Sequence, residues 1–222
     1  MDNFIDLFFN LDVMAKAWPL LLKGLIVTLQ LCGVVIGLGL GGGLLLALGA
    51  LSPNRWLKWP AIGIIDFFRA LPPLVLLIFV YSGLPFAGLE LSPFMAVVIA
   101  FFLNNSAYFA EVFRAGLQSV PRGQSEAARA TGLGKAQTLL HVVLPQAVRN
   151  VLPDLLSNTV EVVKLTSLAS VVSLSELLYS ANMARSVTYN SSPLVLAALI
   201  YLAILWPLVR LISRYQRGIA AH

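Results

Sequence analysis

Of 222 residues, 59% are apolar and only 11% charged, and the mean hydropathy is +0.86. Soluble domains carry about 25% charged residues, so a water-soluble surface cannot be built here, and disorder is excluded because disordered chains are poor in hydrophobics. The net charge of +5 would point to nucleic acid in a soluble protein, but in a membrane chain the placement of the charges matters more than their sum. The composition predicts an all-α integral membrane protein, read as one transmembrane domain over residues 1–222.

The first twelve residues hold Asp2, Asp6 and Asp12 and no Lys or Arg, unlike the basic start of a secretory signal. Phe4 to Leu11 is read either as a short interfacial amphipathic helix or as an unstructured leader. A spanning helix needs roughly 20 mostly apolar residues. The uncharged run Gly24–Asn54 is long enough, and its Gly37, Gly39, Gly41, Gly42 and Gly43 predict a smooth face for a neighbouring helix. Cys32, the single cysteine, lies in this run, so no intrachain disulfide is possible; with His141 and His222 it makes no metal-ligand spacing, and no metal is expected. Next come Ala70–Leu89, broken by Pro72, Pro73 and Pro85, then Leu91–Ala110, Leu155–Ser175 with Glu161 and Lys164 inside it, and Ser186–Val209. Five spans are predicted, at about 20–51, 59–83, 91–113, 152–176 and 190–212. Ten of the fifteen Lys and Arg then fall on one side, five of them between Arg114 and Arg149, and three on the other. The positive-inside rule places the ten in the cytoplasm, with the amino terminus outside and the carboxyl terminus inside.

The one long connection, about 114–150, is cytoplasmic in this topology. Ser125 is expected to cap a helix there, with Glu126 at its positive end and Ala127, Ala128 and Ala130 favouring it. Gly132 is placed to end that helix in a left-handed cap. A second helix is expected from about Lys135 until Pro145 stops it. Two short helices across a glycine bend suit docking into a groove on a partner; a merely solvated connector needs no defined bend.

Glu126-Ala127-Ala128, with Gly132 four residues on and Val142, Leu144 and Pro145 beyond, resembles the EAA loop of ABC importer permeases. Only Val142 departs, standing where that family has Ile. Phe67-Phe68-Arg69-Ala70-Leu71-Pro72, Ala107 to Arg114, Ser119 to Gln124 and Lys164-Leu165-Thr166-Ser167-Leu168 are similar to the polar amino-acid (histidine/glutamine) branch. The resemblance covers roughly residues 28–178. It implies a type I ABC importer permease fold and a coupling role for Glu126, Ala127, Ala128, Gly132, Leu144 and Pro145. It also implies a bacterial inner-membrane location and, as partners, a second permease copy or homologue, two ATP-binding subunits and an extracytoplasmic amino-acid-binding protein. ATP and Mg would be bound by the partner ATPase: this chain has no phosphate-cradling Gly-x-x-x-x-Gly-Lys-Ser/Thr, and no cofactor or nucleic acid is expected on it.

Ionisable residues inside a membrane are expensive and usually face protein or water. Helical spacing puts Asn158, Glu161 and Lys164 on one face. They could offer a zwitterionic amino acid its counter-charges, or Glu161 and Lys164 could simply pair with each other. The related family often has an acid where Asn158 stands. Asp66 with Arg69, and Glu111 with Arg114, are three apart and are predicted to form local salt bridges; Asn104, Asn105 and Ser106 are predicted to bond neighbouring helices. A gradient-driven transporter would show an internal repeat, and a membrane enzyme a catalytic constellation; neither is visible.

Overall fold

The computed structural model describes residues 2–220 and is helical, with no strand among them. His222 lies outside the described residues. After a short helix α1 (Asp2–Phe8), α2 runs Leu11–Ala50. It starts well before the predicted span because Asn10 caps it, its side-chain oxygen accepting from Val13 N–H at 3.1 Å. Forty residues rise roughly 60 Å, twice the ~30 Å of hydrocarbon, so the turns carrying Asp12 and Lys16 stay helical without needing to be in it.

The second apolar segment is two helices. Asn54 caps α3 (Arg55–Ala70) by accepting from Trp56 N–H at 3.0 Å. Leu71 and Pro72 are extended, with ψ 127° and 131°, because a residue before proline is pushed out of the helical region. α4 follows (Pro73–Ile78), widening into a π turn over Phe79–Gly83 and ending in a 3₁₀ turn over Leu84–Ala87. α5 covers Pro93–Ser119. The 114–150 region holds α6 (Arg122–Ala130) and α7 (Lys135–Thr138), which continues through a π turn, Leu139–Val143, into α8 (Leu144–Leu165).

Helix α8 stops short of the predicted end of the fourth span. Thr166–Val172 tightens into a 3₁₀ turn, where the hydroxyls of Thr166, Ser167 and Ser170 each donate to the carbonyl three residues back, a bond that competes with the α-helical ladder. α9 (Leu177–Thr188) then begins anew, capped by Glu176, and α10 covers Ser192–Ala220. Among the described residues, four helical segments are long and apolar enough to cross a membrane, and a fifth span results if α3 and the 73–87 segment count as one broken crossing.

The contacts fall into two compact units. One comprises residues 1–36, 72–101 and 160–222. Its core packs Ala17 and Leu21 of α2 with Leu177, Ala181 and Ala184 of α9 and Ala197 of α10. Glu176 is fully buried there, its two carboxylate oxygens accepting from the N–H groups of Leu178 (2.9 Å) and Tyr179 (2.7 Å), with Tyr201 Oη donating at 3.1 Å. The other comprises residues 37–71 and 102–159. Its core joins Ala47 and Ala50 of α2, Ala61 and Ile65 of α3, and Ala110 of α5. Here α2 and α5 approach closely: a Cβ on Gly43 would lie 3.0 Å from the Ala110 nitrogen, and one on Gly42 2.8 Å from the Phe102 ring. Gly39 faces Phe109, but Gly37 and Gly41 face open space, so the predicted smooth face is narrower than the glycine run.

Candidate functional site

The candidate site is the 114–150 loop, which lies within the second unit. Its base is closed by side chains. Asn150 Nδ2 donates to Ser119 Oγ at 2.8 Å, and that hydroxyl donates to the Gly116 carbonyl, also at 2.8 Å. Gly116 lets α5 meet α8 closely, since a Cβ there would be 2.6 Å from a Val151 methyl. The segment between Ser119 and Asn150 is therefore anchored where it leaves one helix and joins the next.

Within the loop, α6 starts earlier than expected. Pro121 precedes its first residue, so Ser125 is internal and is not the cap; its hydroxyl donates to the Arg122 carbonyl at 2.8 Å. A proline's fixed φ suits a helix start, and it moves Glu126 out of the first turn, away from the positive dipole end. Glu126 and Ala127 are exposed, and Ala128 is the buried residue of α6, which packs on the 139–143 turn. The end of α6 is a Schellman motif. Gly132 takes φ +94°, its N–H reaches the Arg129 carbonyl (3.0 Å), and Leu133 N–H reaches the Ala128 carbonyl (3.3 Å). This is the left-handed cap predicted from the sequence.

Pro145 does not stop the following helix; α8 runs through it. In a regular α-helix its ring would clash with the carbonyl four residues back. The π turn at 139–143 widens the spiral just before it, and Gln146 Nε2 caps the Val142 carbonyl at 2.8 Å. Leu144 and Pro145 are exposed at the start of α8.

The predicted pathway residues separate into two situations. Glu161 and Lys164 form an ion pair with each other, both about half exposed. Asn158 is partly buried, and its Nδ2 is without a hydrogen-bond partner. The local Glu111–Arg114 bridge forms, with Arg114 Nε 3.0 Å from Glu111 Oε2. The predicted Asp66–Arg69 bridge does not: Arg69 turns to α5, where its guanidinium lies 3.9 Å from Glu111 and 5.8 Å from the Tyr108 ring. A carboxylate already placed on the facing helix offers Arg69 a partner that its own helix cannot better. Asn104 Nδ2 donates to the Phe68 carbonyl at 3.0 Å, as expected of an interhelical polar residue; Ser106 Oγ is buried without a partner. Sequence reading missed Glu176. Its signal was local: an acid directly before a helical run, after a Ser-rich stretch. No group of three or more His, Cys, Asp and Glu that could hold a metal occurs among the described residues.

Residues 39–220 match the family described as the binding-protein-dependent transport system inner membrane component. The chain belongs to that family. This permease is 37% identical over 197 residues to the probable amino-acid ABC transporter permease protein YckA of Bacillus subtilis (strain 168), covering 88% of this chain and 87% of that one. It is 35% identical over 196 residues to the arginine transport system permease protein ArtQ of the same organism, covering 86% and 90%. Among solved structures, a crystal structure of an amino acid ABC transporter with histidines superposes with a TM-score of 0.86 at 36% identity, over 92% of this permease and 96% of that chain. The permease is thus an all-helical ABC transporter membrane subunit of the type expected from its EAA-like loop.

Proposed function

We propose that this chain is the permease subunit of an ATP-driven importer that moves a polar or charged amino acid into the cytoplasm, coupled to separate ATPase subunits through Glu126–Pro145. The observation that carries this reading is the anchored, capped bend of α6, Gly132 and α7. The Asn150–Ser119–Gly116 bonds and the close Gly116–Val151 approach tie the base of the loop to α5 and α8, and so give a displacement of α6 a route into both helices. Exposed Glu126 supplies a charge for the docking partner, and exposed Ala127 lets that partner approach closely. The relatives named for amino acids, arginine among them, support the substrate class. The excess of Lys and Arg in the loops assigned to the cytoplasm supports an outside amino terminus. In this reading the permease pairs with a second permease, two ATP-binding subunits that carry ATP and Mg, and an extracytoplasmic binding protein. Glu161 and Lys164 are the pathway candidates, able to exchange their mutual ion pair for the charges of a zwitterion.

Affinity purification of the tagged permease from its native membrane tests the assembly. An ATP-binding subunit should co-purify with the wild type, and its yield should fall with Glu126→Arg. A permease that is correctly inserted yet recovers no ATPase subunit overturns the proposal.

A further inference from the structure

In the unit formed by residues 37–71 and 102–159, the end of α2, one face of α3 and the end of α5 enclose a cavity of about 430 Å³. Its polar lining is Lys58, Asp66, Arg69, Glu111, Arg114 and Gln118, over an aliphatic floor. These groups are not equally occupied. Glu111 is held by Arg114, whose remaining arm donates to Gln118 at 2.9 Å. Arg69 reaches Glu111 only at 3.9 Å, and the side chains of Lys58 and Asp66 form no hydrogen bond or ion pair among the described residues, although Asp66 lies within the electrostatic reach of Arg114. The cavity therefore offers a carboxylate flanked on its own helix by two cations: Arg69 one turn away and Lys58 two turns away on the other side. That pattern matches a ligand with an ammonium close to an anion, and is poor for a simple anion, which Asp66 would repel.

The surroundings say which zwitterion fits. Trp56 and Trp59 on α3, beside Lys58, are 90% and 64% exposed, and Leu57 between them is also exposed. Tryptophan concentrates at the membrane–water boundary, and basic pockets between spanning helices at that level receive lipid headgroups. We propose that this cavity holds the phosphoethanolamine headgroup of a membrane phospholipid. Asp66 accepts from the primary ammonium, Arg69 and Lys58 take the phosphate, and the acyl chains lie along the exposed apolar residues of α3. Asp66 is what makes the site selective. A choline headgroup has no N–H to donate to it, and a glycerol headgroup has no charge to offer it.

Native mass spectrometry of the purified transporter, offered equal amounts of phosphatidylethanolamine, phosphatidylcholine and phosphatidylglycerol, tests this. Phosphatidylethanolamine should be retained about tenfold over either of the others, the weight of one charge-assisted hydrogen bond. Asp66→Asn should abolish the preference over phosphatidylglycerol, and Lys58→Ala should weaken retention of all three lipids, since each carries the phosphate. Neither side chain holds another in place, so both variants should keep the wild-type melting temperature. Equal retention of the three lipids by the wild type, or an unchanged preference in Asp66→Asn, overturns the proposal. So does displacement of bound lipid by millimolar glycine, which would make the cavity a solute site instead.

Discussion

Replacing Gly132 isolates the bend from everything around it. A Cβ at Gly132 would meet nothing within 4 Å, so sterics with neighbours contribute nothing and the whole effect comes from its φ of +94°. Left-handed backbone costs an L-residue about 1–2 kcal/mol, less for Asp or Asn and more for a β-branched side chain. If the bend opens instead, the Gly132–Arg129 and Leu133–Ala128 bonds are lost, each worth about 0.5–1.5 kcal/mol. The two routes are alternatives, so the ordered bend should lose about 1–2 kcal/mol, a five- to thirty-fold drop in its population relative to open forms. The assay is uptake per ATP hydrolysed in proteoliposomes containing the permease, its ATPase and its binding protein. Gly132→Val should lower that ratio by a factor in this range while hydrolysis continues, and Gly132→Asp should fall between Val and wild type. Gly134→Ala is the control, because Gly134 sits at φ −67° and ψ 163°, open to any residue. A Gly132→Val transporter that assembles and imports with wild-type stoichiometry refutes the mechanical role of the bend, as does equal damage from Gly134→Ala.

Other outcomes follow from the packing and the buried charges. Gly43→Leu should cost about 1–3 kcal/mol by overpacking α2 against the α5 backbone, seen as a lower melting temperature in detergent, whereas Gly41→Leu, facing open space, should leave it unchanged. Glu176→Ala should destabilise the permease by about 1–3 kcal/mol in thermal unfolding, because two backbone N–H groups and Tyr201 lose their acceptor in a buried place; Glu176→Gln, which keeps one acceptor oxygen, should cost less. Glu161→Gln breaks a half-exposed ion pair, so its stability cost should be under about 1 kcal/mol. If Glu161 lies on the substrate path, the same change should alter uptake rate or selectivity, and unchanged transport removes it from that role.

The fold class and the loop bend were legible in the sequence because both are local or compositional. Apolar runs report burial in lipid whatever they pack against, and a glycine at the end of a short alanine-rich helix reports φ directly, as Gly132 does. The breaks in the spans were only partly legible. Pro72 and Pro73 announced theirs, since proline acts on its own backbone. The end of α8 at Leu165 did not, because hydroxyl groups that cap carbonyls at Thr166–Ser170 are equally at home inside a helix. Pro145 misled in the opposite direction: it reads as a stop, yet a π turn ending two residues earlier, at Val143, admits it to α8.

By itself, the sequence determined that the chain is helical and membrane-embedded, that its long loop is basic and bent at Gly132, and that it carries the EAA-like pattern. The local pairs Glu111–Arg114 and Glu161–Lys164 were legible from their spacing, but only the tertiary structure decided which groups meet between helices. Arg69 finds Glu111 on α5 instead of Asp66 on its own helix, Asn150 ties the loop base to Ser119, and Glu176 is buried as a cap. Spacing along one helix reports which residues share a face. It carries no information on what a second helix brings opposite that face, and the partners of these ionisable and polar groups are set there.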